Sequence, residues 1–352
     1  MTKVRLGYVG CGFMAQKVHL PNFASISDCD LAAIAEVRGD VREKVADRFG
    51  IAKRYGSHTE LTDDPEIDAV AVSADYSLQN QIAEDLLKRG KIVFMEKPMA
   101  TTLARAQAIV DAEKSGDSRL MVGYMKRYDA GNQLAKASIQ QFRESGELGS
   151  ITLIRNHGFC GDWIGGLDTP MESSSEPMPP TRTIVPDWLP EGRRGQYLSY
   201  LQQWTHNINL MRWLMDAGDN AKVKAVDLNE DGTTGIVILE IAGVRASLES
   251  GSLSHYRWDE HTQVYFQNGW IKTDAPPLLL RQVPAEVEIY KAGATQEFTR
   301  PIPQPAWSWS YKREAEHFIR GVQTGEPFDS SAQDTLTDVR LFEDIYKMWL
   351  KV

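Results

Sequence analysis

A short apolar run ends in the charged pair Glu96-Lys97, and Pro98 follows directly. The residues from Ile92 to Met95 have the length and composition of a buried strand. In open α/β sheets, ligands bind in the crevice beyond the carboxyl ends of the strands. Burial also lowers the pKa of an amine, which suits proton transfer near neutrality. Lys97 is therefore a candidate catalytic residue, although a solvated lysine at a strand end is the simpler interpretation of this segment alone.

A second pattern predicts a nucleotide site near the N-terminus. Gly10, Gly12 and Ala15 have the spacing of a dinucleotide-binding loop between a strand and a helix. The first glycine permits a tight turn, the second lets the main chain approach a pyrophosphate, and the alanine permits close packing. The helix N-terminus then faces the phosphates. The loop residues expected to contact the cofactor are Gly10, Cys11, Gly12, Phe13 and Met14.

An acid and a base follow the second predicted strand. Glu36 stands where the motif requires a carboxylate for the adenosine ribose, which favours NAD and repels the extra phosphate of NADP. Arg38 is the opposing signal, because a guanidinium would pair with that phosphate. NAD is therefore the expected cofactor and NADP the alternative. Ser73, Glu96 and Lys97, at the ends of later strands, complete the predicted cofactor contacts.

Strands and helices alternate over the first part of the chain. Strand-like runs cover 4–9, 31–37, 67–73, 92–95 and 120–123, and helix-like runs cover 12–25, 40–49, 79–89 and 102–114. The first helix is interrupted or ended near Pro21, and Asp40 is the expected cap of the second. Such alternation implies right-handed βαβ units. We expect a Rossmann-type, doubly wound parallel sheet over residues 1–123.

In the second part of the chain, most predicted strands follow one another without alternating helices. Helix-like runs cover 132–144, 196–215, 310–324 and 331–347, and strand-like runs cover 151–158, 223–228, 234–241, 245–251, 262–268 and 287–291. We expect an α+β domain over 124–352 with an open, mostly antiparallel mixed sheet. Packing of the C-terminal helices back on the first domain is compatible with this division. Residues 171–180, in a long loop over 161–194, are a candidate lid or an arm onto a neighbouring subunit.

Bulk properties exclude several classes of protein. The 352 residues have a net charge of −9, which disfavours nucleic-acid binding. No apolar run approaches the roughly 20 residues that span a bilayer, and the N-terminus does not resemble a signal peptide. The three cysteines lack paired or metal-binding spacing, so we expect reduced thiols, no metal site and a cytoplasmic location.

The ordered set of motifs resembles the glucose–fructose oxidoreductase / inositol dehydrogenase (Gfo/Idh/MocA) family. The matching features are the glycine loop, Glu36, Glu96-Lys97-Pro98, Arg127-Tyr128, the turn Gly146-Glu147-Leu148-Gly149, and His206 on a predicted helix. The resemblance implies hydride transfer between a nicotinamide and a hydroxyl or keto carbon of a sugar, cyclitol or similar polyol. It also implies a C-terminal sheet that mediates homodimers or homotetramers.

The resemblance implies particular roles for the matching residues. The lysine matching Lys97 lies near nicotinamide and substrate, and the peptide bond before Pro98 is often cis. The histidine matching His206 acts as acid or base on the reacting oxygen. Lys97 and His206 are therefore the predicted catalytic residues, and the predicted substrate contacts are Arg127, Tyr128, Trp163, Gln202 and Asn209.

Several positions depart from the family pattern. Gln202 and Asn209 replace acids that usually flank the histidine, and Asp75 and Gln79 replace residues that are commonly Pro and His. Helical spacing puts Gln202, His206 and Asn209 on one face. Because an amide cannot accept a proton, His206 or Lys97 would carry the proton alone. A divergent sugar enzyme is thus favoured, with a non-catalytic dinucleotide-binding regulator and an NAD-dependent glycosidase as alternatives.

Overall fold

The structure is a computed structural model that describes residues 2–164, 170–253 and 258–352. It divides into two compact units. The first comprises the described residues of Met1–Tyr124, Asp168–Pro186 and Tyr311–Val339, and the second those of Met125–Leu167, Asp187–Ser310 and Arg340–Val352. Part of the long predicted loop, residues 165–169, lies outside the described residues. The division into domains at residue 123 stays a proposal. By contacts, residues 170–186 and 311–339 belong with the first unit.

The first unit contains a parallel sheet. Its strands are β1 (Val4–Val9), β2 (Cys29–Ala35), β3 (Lys53–Tyr55), β4 (Ala69–Val72), β5 (Ile92–Glu96) and β6 (Arg119–Gly123). The first five helices are α1 (Leu20–Ala24), α2 (Gly39–Phe49), α3 (His58–Thr62), α4 (Gln79–Lys88) and α5 (Leu103–Lys114). Within the described residues the strand order is β3-β2-β1-β4-β5-β6, the doubly wound order of a dinucleotide-binding domain. The predicted Rossmann-type sheet is confirmed.

Local packing explains where the prediction for the first unit was wrong. The predicted helix over 12–25 is a π-helical turn at Ala15–His19 followed by α1, which has Pro21 in its first turn, where a missing N–H costs little. Asp40 lies inside the first turn of α2, and Arg38 is the N-cap. The short strand β3 was not predicted, because its three residues are only half-buried and lack a strong pattern.

The second unit contains a mixed, mostly antiparallel sheet. Its strands are β7 (Ile151–Cys160), β8 (Ala221–Leu228), β9 (Gly235–Ile241), β10 (Val244–Ser252), β11 (Asp259–Phe266), β12 (Gly269–Asp274), β13 (Glu286–Lys291) and β14 (Glu297–Thr299). Among the described residues the order is β14-β13-β12-β11-β7-β10-β9-β8, and β7 pairs with β10 in parallel. The expected second sheet is therefore confirmed, although the prediction missed β12 and the short exposed β14.

Four longer helices complete the chain. They are α6 (Ala130–Ser145), α7 (Arg194–Leu214), α8 (Ser310–Thr324) and α9 (Ala332–Leu350). Side chains alternate between buried and half-exposed along β7 and β9, so one face of the second sheet is covered and the other is open. No helix in the described part of the chain is long and apolar enough to cross a membrane.

Candidate active site

The geometry of the loop after β1 requires glycine at position 10. Gly10 has a φ of 96°, and a Cβ atom there would lie 2.3 Å from the carbonyl oxygen of Ser73. A Cβ atom on Gly12, in contrast, would meet no described atom within 4 Å. The loop is therefore open at Gly12, where the motif requires close approach of a pyrophosphate. Ala15 is fully buried, as its packing role requires.

Glu36 connects the end of β2 to the glycine loop. Its Oε2 accepts a hydrogen bond from the Cys11 N–H at 2.9 Å, and its Oε1 accepts one from Arg38 Nε at 2.9 Å. Burial raises the pKa of this carboxyl, but the hydrogen bonds from Arg38 and Cys11 more than offset that effect, so the net pKa is lowered. A buried, ionised carboxylate beside the loop fits the ribose hydroxyls of a dinucleotide.

The remaining predicted cofactor contacts lie around the same loop. Phe13 and Met14 are half-buried at the start of the π-helical turn. Ser73 directly follows β4, and its Oγ lies 2.8 Å from Tyr8 Oη in a buried hydrogen bond. This hydrogen bond of Tyr8 was not predicted, because the apolar pattern of β1 indicates only a buried side chain at that position.

Glu96 is held by buried polar groups at the end of β5. Its Oε1 lies 2.7 Å from His19 Nε2, and its Oε2 accepts a hydrogen bond from the Lys97 N–H at 3.0 Å. The Glu96 carbonyl accepts a hydrogen bond from Gln79 Nε2 at 2.6 Å, while Gln79 Oε1 accepts one from the Ala74 N–H at 3.2 Å. The departure at position 79 therefore ties the ends of β4 and β5 together.

Lys97 is half-buried at the carboxyl edge of the parallel sheet. Gly10, Ser73 and Lys97 each follow one of the parallel strands β1, β4 and β5, so their main chains emerge at the same edge of the sheet. The Lys97–Pro98 peptide bond is cis, as the resemblance implied. This edge is where open α/β sheets bind their ligands.

The second unit brings together two of the predicted substrate contacts. Arg127 lies in the 3₁₀ turn Met125–Tyr128, and its Nε donates a hydrogen bond to Asn209 Oδ1 at 2.7 Å. Arg127, Tyr128, His206 and Asn209 are all buried. The replacement of an acid by Asn209 therefore gives Arg127 a neutral acceptor in place of a carboxylate.

Two other predicted contacts lie in more exposed positions. Gln202, one turn before His206 on α7, is exposed to solvent. Trp163, shortly after β7, is 37% exposed. The helical face predicted from spacing thus changes from exposed at Gln202 to buried at His206 within one turn.

A buried ion pair beside these residues was missed. Lys126 Nζ pairs with Glu260 Oε1, which also accepts a hydrogen bond from Asn207 Nδ2 at 3.1 Å. The same Asn207 amide donates to Asn156 Oδ1 at 2.8 Å. The sequence signal for this buried polar cluster is weak: Asn156 stands at an inward position of β7, and Glu260 stands at an inward position of β11.

Comparison with known proteins shows what the chain is similar to. A model of an oxidoreductase family with an NAD-binding Rossmann fold matches residues 4–124. Similarity to inositol dehydrogenases extends beyond that segment. The myo-inositol 2-dehydrogenase of Thermotoga maritima is 23% identical over 340 residues, covering 94% of this chain and 92% of the relative. Residues 4–124 thus match the NAD-binding Rossmann domain of the Gfo/Idh/MocA oxidoreductases.

Another relative and two solved structures are similar to the chain over most of its length. The inositol 2-dehydrogenase of Acidiphilium cryptum is 26% identical and covers 94% of this chain and 89% of its own. A 3-ketoreductase from Actinomadura kijaniata, solved with TDP-benzene and NADP, has a TM-score of 0.72 at 17% identity, with 98% of each chain covered. An oxidoreductase from Agrobacterium radiobacter, solved with NAD⁺, L-tartaric acid and magnesium, has a TM-score of 0.72 at 18% identity, covering 99% and 96%.

Proposed function

We propose that this oxidoreductase transfers hydride between NAD and a hydroxyl or keto carbon of a sugar, a cyclitol or a related polyol. The observation that carries the proposal is Lys97 at the carboxyl edge of the sheet that also bears the glycine loop, with Glu96 held in place beside it. The names of the inositol dehydrogenase relatives and of the 3-ketoreductase support a polyhydroxylated substrate.

The chemistry assigns a task to each proposed catalytic residue. A bound nicotinamide supplies the hydride acceptor or donor. Lys97 contributes positive charge near the oxygen that becomes an alkoxide. His206 takes the hydroxyl proton during oxidation and returns it during reduction. Because Gln202 cannot accept a proton, these two residues act without the usual carboxylate partner.

The substrate contacts follow from the buried polar groups of the second unit. Arg127 and Asn209 form one hydrogen-bonded pair, and together they offer guanidinium donors and an amide to sugar hydroxyls. Tyr128 and Trp163 supply aromatic faces for the C–H surfaces of a sugar ring. Gln202 is proposed to bind a hydroxyl rather than to move a proton.

NAD is the proposed cofactor because of the charge state of Glu36. Its lowered pKa keeps the carboxylate ionised at neutral pH, and an anion at this position repels the additional phosphate of NADP. Arg38 donates to Glu36, so its charge is already engaged. NADP remains the alternative, since the guanidinium of Arg38 would also pair with a phosphate.

Two further proposals concern assembly and location. The chain forms a homodimer or homotetramer through the open face of the second sheet, where Trp270 stacks on Tyr290 and Phe298 is 53% exposed. A cytoplasmic location is supported by Cys11, Cys29 and Cys160, which are free and buried.

A substrate screen tests the main proposal. The purified protein is mixed with NAD or NADP and with cyclitols, monosaccharides or nucleotide sugars, and the absorbance of the reduced nicotinamide is followed. Lys97→Ala is expected to reduce turnover by at least about a hundredfold. Lys88→Ala removes an exposed lysine on α4 and is the control. Turnover that survives Lys97→Ala would contradict the proposed role of that residue.

A regulator without catalysis is the second candidate function. The exposed Gln202, in place of the usual acid, favours it. Tight dinucleotide binding without turnover of any substrate would support this candidate. Cleavage of a glycoside without net accumulation of reduced nicotinamide would instead indicate an NAD-dependent glycosidase.

A further inference from the structure

Residues 170–176, here called the strap, lie along the glycine loop and α2 within the first unit. Gln16 is fully buried, and its side-chain amide binds both main-chain groups of Glu172 in the strap. Gln16 Nε2 donates to the Glu172 carbonyl at 2.9 Å, and Gln16 Oε1 accepts from the Glu172 N–H at 2.8 Å. The same Nε2 donates to the Cys11 carbonyl at 2.7 Å. The strap is therefore linked through Gln16 to Cys11, the residue between the two loop glycines.

Helix α2 holds the strap at further points. Arg48 Nη1 donates to the Pro170 carbonyl at 2.8 Å, and Lys44 Nζ donates to the Ser173 carbonyl at 3.3 Å. The Ser174 hydroxyl donates to Asp40 Oδ1 in the first turn of the helix. These contacts follow α2 toward its N-terminus.

The strap ends with a carboxylate at the N-terminus of α2. Glu176 Oε1 accepts a hydrogen bond from the Asp40 N–H at 3.2 Å, and a Cβ atom on Gly39 would lie 3.6 Å from the same oxygen. Arg38, which pairs with Glu36, is the N-cap of this helix. In a Rossmann domain, the 2′-phosphate of NADP lies near the acid after the second strand and an adjacent arginine.

We propose that Glu176 is a specificity-determining residue, whose carboxylate occupies the N-terminus of α2 and excludes the 2′-phosphate of NADP from the cofactor site. The inference rests on the proposed dinucleotide-dependent function. A helix N-terminus attracts anions through its free N–H groups and its dipole, so a carboxylate there competes directly with a phosphate. Together with Glu36, it presents a second negative charge to a ligand that differs from NAD only by a phosphate.

Dissociation constants for NAD and NADP test this inference without relying on turnover. They are measured by quenching of tryptophan fluorescence for the wild type and for Glu176→Gln. The variant is expected to bind NADP about tenfold more tightly, while NAD affinity changes by no more than about twofold. The wild-type preference for NAD is expected to decrease as salt is added, and that of the variant to depend less on salt.

Controls separate the charge effect from other causes. Glu144→Gln removes an exposed glutamate on α6 of the second unit and is expected to leave the ratio of the two dissociation constants unchanged. Gln16→Ala releases the strap, and is expected to weaken the preference for NAD and to increase protease cleavage within 170–176. NAD binding with an unchanged ratio in Glu176→Gln would overturn this inference alone. Failure of the wild type to bind either dinucleotide would overturn the proposed function as well.

Discussion

At the residue scale, the proposed cofactor site depends on a few buried polar atoms. Glu36 bonds to the glycine loop, and Glu96 is held by His19 and Gln79. Each of these carboxylates is buried and has charged or N–H partners, which offset the cost of removing it from water. Single substitutions at these positions should therefore have large and separable effects on stability and on cofactor binding.

The two loop glycines should respond differently to alanine. Gly12→Ala is expected to leave the melting temperature unchanged but to weaken NAD binding at least about tenfold, because its methyl group points into open space beside the phosphate-binding main chain. Gly10→Ala should lower both the melting temperature and the affinity for NAD, since its Cβ would collide with the Ser73 carbonyl. Thermal melts and NAD titrations check this pair, and equal melting temperatures for the two variants would contradict it.

His19 should contribute to both stability and catalysis. His19→Ala removes a buried hydrogen-bond partner of the Glu96 carboxylate, and is expected to lower the free energy of unfolding by about 3 kcal/mol. Urea unfolding followed by circular dichroism measures the loss. If His19 also positions the Lys97 segment, kcat should fall more than KM rises, and His19→Gln should restore part of kcat. A purely structural role would leave the kcat of the folded fraction unchanged.

At the element scale, the ends of the parallel strands assemble the proposed site, and helix α8 places a buried glutamate in the same unit. Glu314 on α8 is fully buried, and neither of its carboxylate oxygens has a hydrogen-bond partner among the described residues. Burial and the nearby charge of Glu96 raise the pKa of Glu314 well above its ordinary value. Glu314 is therefore neutral in the folded protein at a pH where it is ionised in the unfolded chain.

This difference predicts how stability depends on pH. The stability associated with Glu314 is fully present below its unfolded pKa of 4.5 and decreases as the pH rises toward the raised folded pKa. Glu314→Gln cannot ionise, so it should melt at a higher temperature than the wild type at pH 8. The difference should diminish toward pH 5. A stability difference that is independent of pH would contradict the assignment of a neutral Glu314.

At the scale of the whole molecule, the open face of the second sheet is a candidate interface between subunits. Trp270 and Tyr290 stack with ring centroids 5.8 Å apart, and Trp270 also contacts Phe298 edge to face. Ile236 lies on the same face, near the opposite edge of the sheet, and is 48% exposed. Exposed apolar groups on one sheet face are typical of a surface that another subunit covers.

Substitutions on this face should change the molecular mass in solution. Phe298→Glu and Ile236→Lys are expected to shift the protein from a dimer or tetramer to a smaller species in size-exclusion chromatography with light scattering. Ile302→Glu is the matched control, because Ile302 is 71% exposed but lies outside the sheet strands. An unchanged mass for both sheet variants would exclude this face as the interface.

The sequence by itself determined the features that depend on local spacing. The glycine loop, Glu36 and the position of Lys97 after a buried strand follow from residues close together in the chain, and alternating helices and strands determine the parallel sheet. Only the tertiary structure decided the partners of Glu96, the Arg127–Asn209 pair, the Lys126–Glu260 pair and the path of the strap. These contacts join residues far apart in sequence, and hydrophobic periodicity does not specify which polar side chains meet inside a fold.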